Sequence, residues 1–203
     1  MQDVAGTLTA HARQHLVFHA AGLASQANSL ILCAESGSGK STLAAWLTAS
    51  GFDYLSDELV AVTLDGTEMR GLARPIILRE ASAFVWHAWL DDSARAGLSR
   101  FPSGDYWLDP EVLRPCCVQM LAQPRLLLFP RYTPGRALTI EPLSPAKAVF
   151  HLMRRLINAR NLPDWGFAGA AKLAGRCTAY SLNYGDVAHA SAWIEEIVGI
   201  DAR

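Results

Sequence analysis

The chain has 203 residues, 51% of them hydrophobic, with four cysteines and a formal net charge of -1. That length and apolar content suit a single domain with a sizeable core, and the intermixed charges leave no basic footprint for nucleic acid or an anionic membrane surface. Cys33, Cys116, Cys117 and Cys177 show neither metal-ligand spacing nor a disulfide framework, the first ten residues carry Asp3 without a basic cluster, and no apolar run could span a bilayer. The expectation is a reduced, cytoplasmic protein with no membrane and no nucleic acid among its partners.

In chain order, residues 14–24 read as a strand leading into a turn near 25–28, and residues 29–33 return as its hairpin partner. His19 lies in the first strand. A lone histidine in an apolar segment is ordinarily packed or solvated, but a hairpin would return this one towards the glycine-rich segment beyond residue 33. Residues 34–41, AESGSGKS, fit the phosphate-binding pattern G/A-x-x-x-x-G-K-S. Gly37 and Gly39 can take backbone angles closed to other residues, so that successive N–H groups cup an anion. A helix starting near Lys40 adds its positive end, Lys40 adds a full charge for the outer phosphates, and the Ser41 hydroxyl can serve Mg2+. Ser36, Gly37, Ser38, Gly39, Lys40, Ser41 and Thr42 are therefore the candidate nucleotide-binding residues. A bare octet could be only a flexible glycine turn, but here an apolar strand precedes it, a good helix comes after it, and Gly51 stands where that helix should end.

Residues 52–55 and 59–64 read as strand, interrupted at Ser56, Asp57 and Glu58. Adjacent carboxylates between apolar segments are costly to bury without a positive neighbour, so the bland reading is an exposed turn. A strand directly after the phosphate-loop helix would normally lie next to the first strand, which would bring Asp57 or Glu58 to the edge that carries Lys40. There a carboxylate could hold magnesium or accept a proton from an attacking hydroxyl. Asp65 and Gly66 mark a hairpin turn, with strand at 67–71 and again at 73–80. Residues 81–97, with Phe84, Trp86 and Trp89, have helical spacing and read as core or interface rather than a base-stacking platform. Residues 99–115, rich in Pro, Gly, Asp and aromatics, read as a loop or lid. Residues 124–132 contain a buried strand, 144–155 an amphipathic helix capped by Ser144, 166–175 a short helix, 177–183 a strand, and 186–198 a closing helix capped by Asp186. Arg74 and Arg131 are basic residues whose placement, surface or phosphate-facing, the pattern leaves open.

Several of these pieces together resemble the HPr kinase/phosphorylase family, and most closely its short relatives that consist of the catalytic domain alone: FHAAGL around His19, ESGSGKST, GFDYLSDELVAV, RPIIL, LLLFPRY with PLSPAKA, and YSLNYGD. They run from about residue 15 to 195. The most specific is the acidic pair that begins seventeen positions after the loop lysine, too early for most other P-loop proteins. The resemblance implies an α/β fold similar to the nucleotide-binding domain of phosphoenolpyruvate carboxykinase, with a mixed β core and flanking helices, and transfer of the ATP γ-phosphoryl group to a seryl hydroxyl. By the same resemblance Asp57 is the base and, with Ser41, a magnesium ligand, Glu58 fills the second acidic position where the long enzymes have Asp, and His19 is a matched site residue. Residues 68–72, EMRGL, echo a signature of the longer enzymes.

The chain departs from the long enzymes in their N-terminal domain and partner-binding helix, which points away from HPr as acceptor. The short relatives are associated with modified-peptide biosynthesis, lasso peptides included, so the implied partner is a peptide or small protein carrying a serine, with a homo-oligomer left open. Alternatives from other classes are a nucleotide-binding regulatory or scaffold module without transfer, and a small-molecule kinase.

Overall fold

The computed structural model describes residues 12–25, 28–87 and 89–199; the N-terminal segment with Asp3 and the middle of the 25–28 turn lie outside them, as does the Phe84 side chain. In chain order the strands are β1 (His15–Ala24), β2 (Ser29–Cys33), β3 (Asp53–Ser56), β4 (Leu59–Thr63), β5 (Met69–Gly71), β6 (Ile76–Leu78), β7 (Ser99–Arg100), β8 (Tyr106–Leu108), β9 (Leu121–Ala122), β10 (Leu126–Tyr132), β11 (Thr139–Pro142) and β12 (Thr178–Tyr184). The helices are α1 (Lys40–Ala49), α2 (Ala83–Trp86), α3 (Asp92–Ala96), α4 (Pro110–Leu113), α5 (Pro145–Met153), α6 (Phe167–Arg176) and α7 (Val187–Val198).

β1 is the seam of a mixed sheet ordered β11-β12-β10-β2-β1-β4-β5-β9. Its second half forms the expected antiparallel hairpin with β2, Ala20 opposite Cys33. On its other edge Gly22 faces Ser56 of β3, and further back His19 faces Leu59 of β4. The chain from 53 to 63 thus runs beside β1 as one antiparallel strand interrupted at Asp57 and Glu58, and even there Ala20 N–H donates to Glu58 O at 3.1 Å. The strand after the phosphate-loop helix does lie next to the first strand, on the edge opposite β2. β2 itself pairs in parallel with β10, and β10 in parallel with β12.

Strand alternation sorts the core into two layers. Leu30 and Leu32 of β2, with Leu128 and Leu182, face the cluster that α1 and α7 cover. Ile31 and Cys33, with Leu127 and Phe129, face the cluster beneath α5 and α6. A strand buried on both faces reads as an unbroken apolar run, as SLILC does. Beside β1, the buried Asn158 replaces missing ladder bonds: its Oδ1 accepts from Val17 N–H and its Nδ2 lies 2.9 Å from the carbonyl oxygens of both Ala12 and His15. The caps expected at Ser144 and Asp186 are present, accepting from Lys147 N–H and Ala188 N–H.

Residues 76–118 depart from the expectations. They build a second sheet, β6-β8-β7, on its own apolar cluster around Trp86, Leu78 and Leu108, sealed against Ala45 of α1 and Tyr54 of β3. The continuous helix expected over 81–97 is two short ones. α2 stops at Trp86, whose fully buried ring meets Tyr106 edge-on at 5.0 Å, and α3 begins afresh where Asp91 accepts from Ala94 N–H at 2.7 Å. The 99–115 stretch is not a loop or lid. Its Gly104 (φ 94°) turns β7 into β8, and Asp109 with Pro110 starts α4, so the turn residues punctuate short elements.

Candidate active site

The phosphate loop joins β2 to α1. Gly37 and Gly39 take φ of 82° and 86°, the left-handed region open to glycine at little cost. At Gly39 space is also absent, because a Cβ would stand 2.8 Å from Tyr184 Oη and 3.0 Å from Tyr132 Cβ. The loop is tied to the end of β10 by Tyr132 N–H donating to Ser38 O at 3.0 Å. Gly39 occupies the N-cap of α1 without a side-chain cap, and the first turn holds no acidic residue, so the leading N–H groups and the positive helix end remain for an anion. Lys40 is buried and its Nζ donates to the main-chain oxygen of Asp57. Burial pulls its pKa down, while the charges of Asp57 and Glu58 oppose that shift.

The interruption between β3 and β4 is organised by Ser56, whose Oγ accepts from Glu58 N–H at 3.2 Å and Leu59 N–H at 3.1 Å. This local turn sends two neighbouring carboxylates to different environments. Asp57 is 1% exposed, and its Oδ1 accepts from the Tyr54 hydroxyl at 3.0 Å. Burial, then the Asp57 charge, push the Tyr54 phenol well above its ordinary range, so it stays a donor. The Glu58 side chain is 38% exposed, with Oε2 3.2 Å from Arg74 Nη2 and 3.9 Å from His19 Nε2. His19 has its pKa lowered, first by burial and next by Lys40, so its imidazole is neutral at pH 7 and the contact is not an ion pair there.

The loop, Lys40, His19 and Glu58 open on one cleft of about 600 Å3, within the roughly 300–1,000 Å3 usual for small-ligand sites. Of the residues singled out in the sequence, Ser36, Gly37, Gly39, Lys40, Ser41, Thr42, His19 and Glu58 line it. Ser38 does not, its hydroxyl being turned onto Glu35 O at 2.6 Å, and Asp57 lies behind Lys40. Arg74 is placed by its contact with Glu58; Arg131 is exposed on β10 outside the lining. The 68–72 segment stays out of the cleft as well: Arg70 pairs with Glu68 at 2.8 Å, and Gly71 presses on Leu55, whose oxygen a Cβ would meet at 2.2 Å.

Three arginines of the site escape the sequence pattern. Arg79, at the end of β6, reaches across the cleft and its Nη2 donates to Ser36 Oγ at 2.6 Å. Arg154 and Arg155, legible only as the favourable charge of a helix end, both pair with Glu35 of the loop, at 2.9 and 2.6 Å. A basic residue closing an apolar run is the available signal at Arg79, and the opposition to Ser36 is purely tertiary.

Among the described residues no group of three or more His, Cys, Asp or Glu side chains could hold a metal ion by itself. Magnesium at a phosphate site asks less, one or two hard oxygens with phosphate and water completing its shell. The Ser41 hydroxyl and Glu58 line the cleft, with Asp57 adjacent, and this donor set fits. Among the described residues no helix is long and apolar enough to cross a membrane.

No family model matches the sequence, and no curated protein matches it. Among solved structures the chain is similar to the Hpr(Ser) kinase/phosphatase from Coxiella burnetii, with a TM-score of 0.45 and 10% identity over 90% of this chain and 93% of that one.

Proposed function

We propose that the protein is an ATP- and Mg2+-dependent serine kinase of the HPr kinase-like kind, acting on a peptide or small protein. The observation that carries this reading is that a phosphate loop and a partly exposed carboxylate, Glu58, open on the same cleft. The loop amides and Lys40 would hold the triphosphate, with Arg79 as a further cation on the facing wall. Ser41 with a carboxylate of the 57–58 pair would hold magnesium, which supplies charge neutralisation between the outer phosphates. Glu58 would accept the proton of the seryl hydroxyl as its oxygen bonds to the γ-phosphorus, while the bond from that phosphorus to the bridging oxygen breaks and ADP leaves. Arg74 and neutral His19 would orient Glu58.

Exposure favours Glu58 over Asp57 for the proton, because a base must reach the hydroxyl it serves. Buried Asp57 is suited to positioning Lys40 through its main-chain oxygen and the Tyr54 contact. The test is transfer at saturating MgATP. Glu58→Gln should lose about 10²–10⁴-fold in rate with little change in ATP affinity. Full transfer by Glu58→Gln together with loss in Asp57→Asn would return the base to Asp57. Tight ATP binding with the γ-phosphate left intact, whatever the acceptor, would make this a nucleotide-binding module instead.

A further inference from the structure

Where β2 gives way to the phosphate loop, β1 changes partner. Its ladder passes from Cys33, opposite Ala20, to the stretch after α5: His19 N–H donates to Arg155 O at 2.9 Å, and Ile157 N–H to Val17 O at 2.9 Å. This splice sets the end of α5 against the mouth of the cleft, where Arg154 and Arg155 both meet Glu35. Ala148, Val149 and Leu152 turn inward, which leaves Lys147, Phe150 and Arg154, at spacings of three and four, along the outer face of the helix and its cap. Phe150 is 62% exposed, and its ring centroid lies 5.9 Å from the same Arg154 guanidinium that holds Glu35.

A second group of exposed apolar side chains lies past Arg155 on the same stretch. Gly166 is pressed on Leu156, whose Cδ2 a Cβ would meet at 2.7 Å, so Trp165 and Phe167 flank the backbone that carries exposed Ile157. Trp165 is again 62% exposed, and it and Asp164 take φ of 52° and 54°, a region that bulky side chains rarely adopt. Strained backbone that holds an indole in water is an independent sign of a binding surface. Charge is another. Residues 142–163 contain Lys147, Arg154, Arg155 and Arg160 and no acidic residue, in a chain whose net charge is -1. Glu35 answers only the two adjacent arginines; Lys147 and Arg160 make no ion pair among the described residues.

We propose that this basic, aromatic surface is where the phosphoryl acceptor docks, and that the acceptor is a peptide segment with acidic residues and an aromatic or aliphatic side chain beside its serine. The proposal rests on the reading of the cleft as a kinase site. Charge complementarity selects the acids, and the exposed rings select the apolar side chain. Contacts supply the route: Phe150 leads through Arg154 to Glu35 at the cleft, and Arg155 leads through His19 to Glu58, 3.9 Å from His19 Nε2. A peptide lying on α5 passes Glu35 and enters the cleft on the Glu58 side.

The experiment probes an array of short peptides, each with a central serine and its other positions varied, with the whole protein in Mg2+ and ADP. The best binders are followed in solution by fluorescence anisotropy at fixed salt. Peptides with Asp or Glu and an aromatic residue should bind at least about tenfold more tightly than those with Lys or Arg in place of the acids. Phe150→Ala and Trp165→Ala should each weaken them by about fivefold. Lys147→Glu combined with Arg160→Glu should weaken them by about tenfold and abolish the preference for acids. None of these should change MgATP affinity by more than about twofold. No preference for acidic and aromatic residues, or affinity unchanged in every variant, would overturn the docking surface; serine transfer persisting in those variants with unchanged KM would do so while leaving the kinase reading in place. The expected binding pattern without phosphate transfer would instead overturn the kinase reading, the surface then holding a peptide that is not an acceptor. A dimer in sedimentation that Phe150→Ala or Trp165→Ala dissociates would assign the face to a second copy of the chain and overturn the proposal. Lys147 and Arg160 are both exposed, so their double variant carries the test even where Trp165→Ala does not fold.

Discussion

The two walls of the cleft are built on different principles. One wall is backbone: β2, the phosphate loop and α1, supported by β1, β3 and β10, with glycine angles and helix N–H groups forming the site. The other is side chain: Arg79, Ser82 and Val85, carried on three short strands and two-turn-or-less helices over a small aromatic cluster. The contrast separates the part of such a site that can be altered from the part that cannot. A backbone cradle is set by a few glycines and the main-chain hydrogen bonds around them, whereas a side-chain wall can change its contents residue by residue and is where ligand preference would be tuned.

Removing the one full charge that the loop wall adds to its backbone cradle should have the larger effect. Lys40→Ala removes the buried charge at the loop and should reduce both ATP affinity and phosphoryl transfer by about 100-fold or more. Arg79→Ala removes the cation from the opposite wall and should cost about tenfold in ATP affinity, measured by calorimetry at fixed salt. An equal or larger loss in Arg79→Ala would invert the ranking of the walls. Tyr54→Phe probes the support behind them. It removes the hydrogen bond to the buried Asp57 carboxylate and should lower unfolding stability by about 1.5–3 kcal/mol in a denaturant titration, since bonds to charged groups exceed neutral ones.

The smallest and most diagnostic effect is on pH. With its pKa below 6.5 in the folded protein, His19 stays neutral until the pH falls through that lowered value. It then charges and becomes an ion partner for Glu58, so transfer should fall with decreasing pH, and His19→Asn should flatten that limb. The same shift means that the folded protein binds fewer protons than the unfolded chain below about pH 6.5, so His19's contribution to stability is present above that pH and lost as the pH falls. A pH profile unchanged by His19→Asn would separate His19 from Glu58.

Legibility in the sequence divides along the same line. The β1–β2 hairpin, the loop, α1 ending at Gly51, the break at 57–58 and the caps at Ser144 and Asp186 all have local causes: alternation, glycine angles, a capping side chain next to the bond it makes. Residues 76–118 have none that is decisive. Their helical spacing around Trp86 and Trp89 is divided by the Asp91 cap, and their turn residues separate strands only two or three residues long, so periodicity has no length in which to declare itself. Asp57 and Glu58 are legible as a pair, but not the burial of one and exposure of the other, which depends on Ser56 Oγ and on Tyr54 and Arg74 arriving from either side. Arg79 meeting Ser36 is a contact across 43 positions that no local pattern encodes.

Transfer to serine is tested most directly by intact-mass and fragment mass spectrometry of serine-containing candidate peptides after incubation with the protein and MgATP. The expected result is a gain of one phosphate on a serine, absent with Lys40→Ala and strongly reduced with Glu58→Gln. An unmodified peptide beside tightly bound, intact ATP, or phosphate found on a residue other than serine, would contradict a serine kinase.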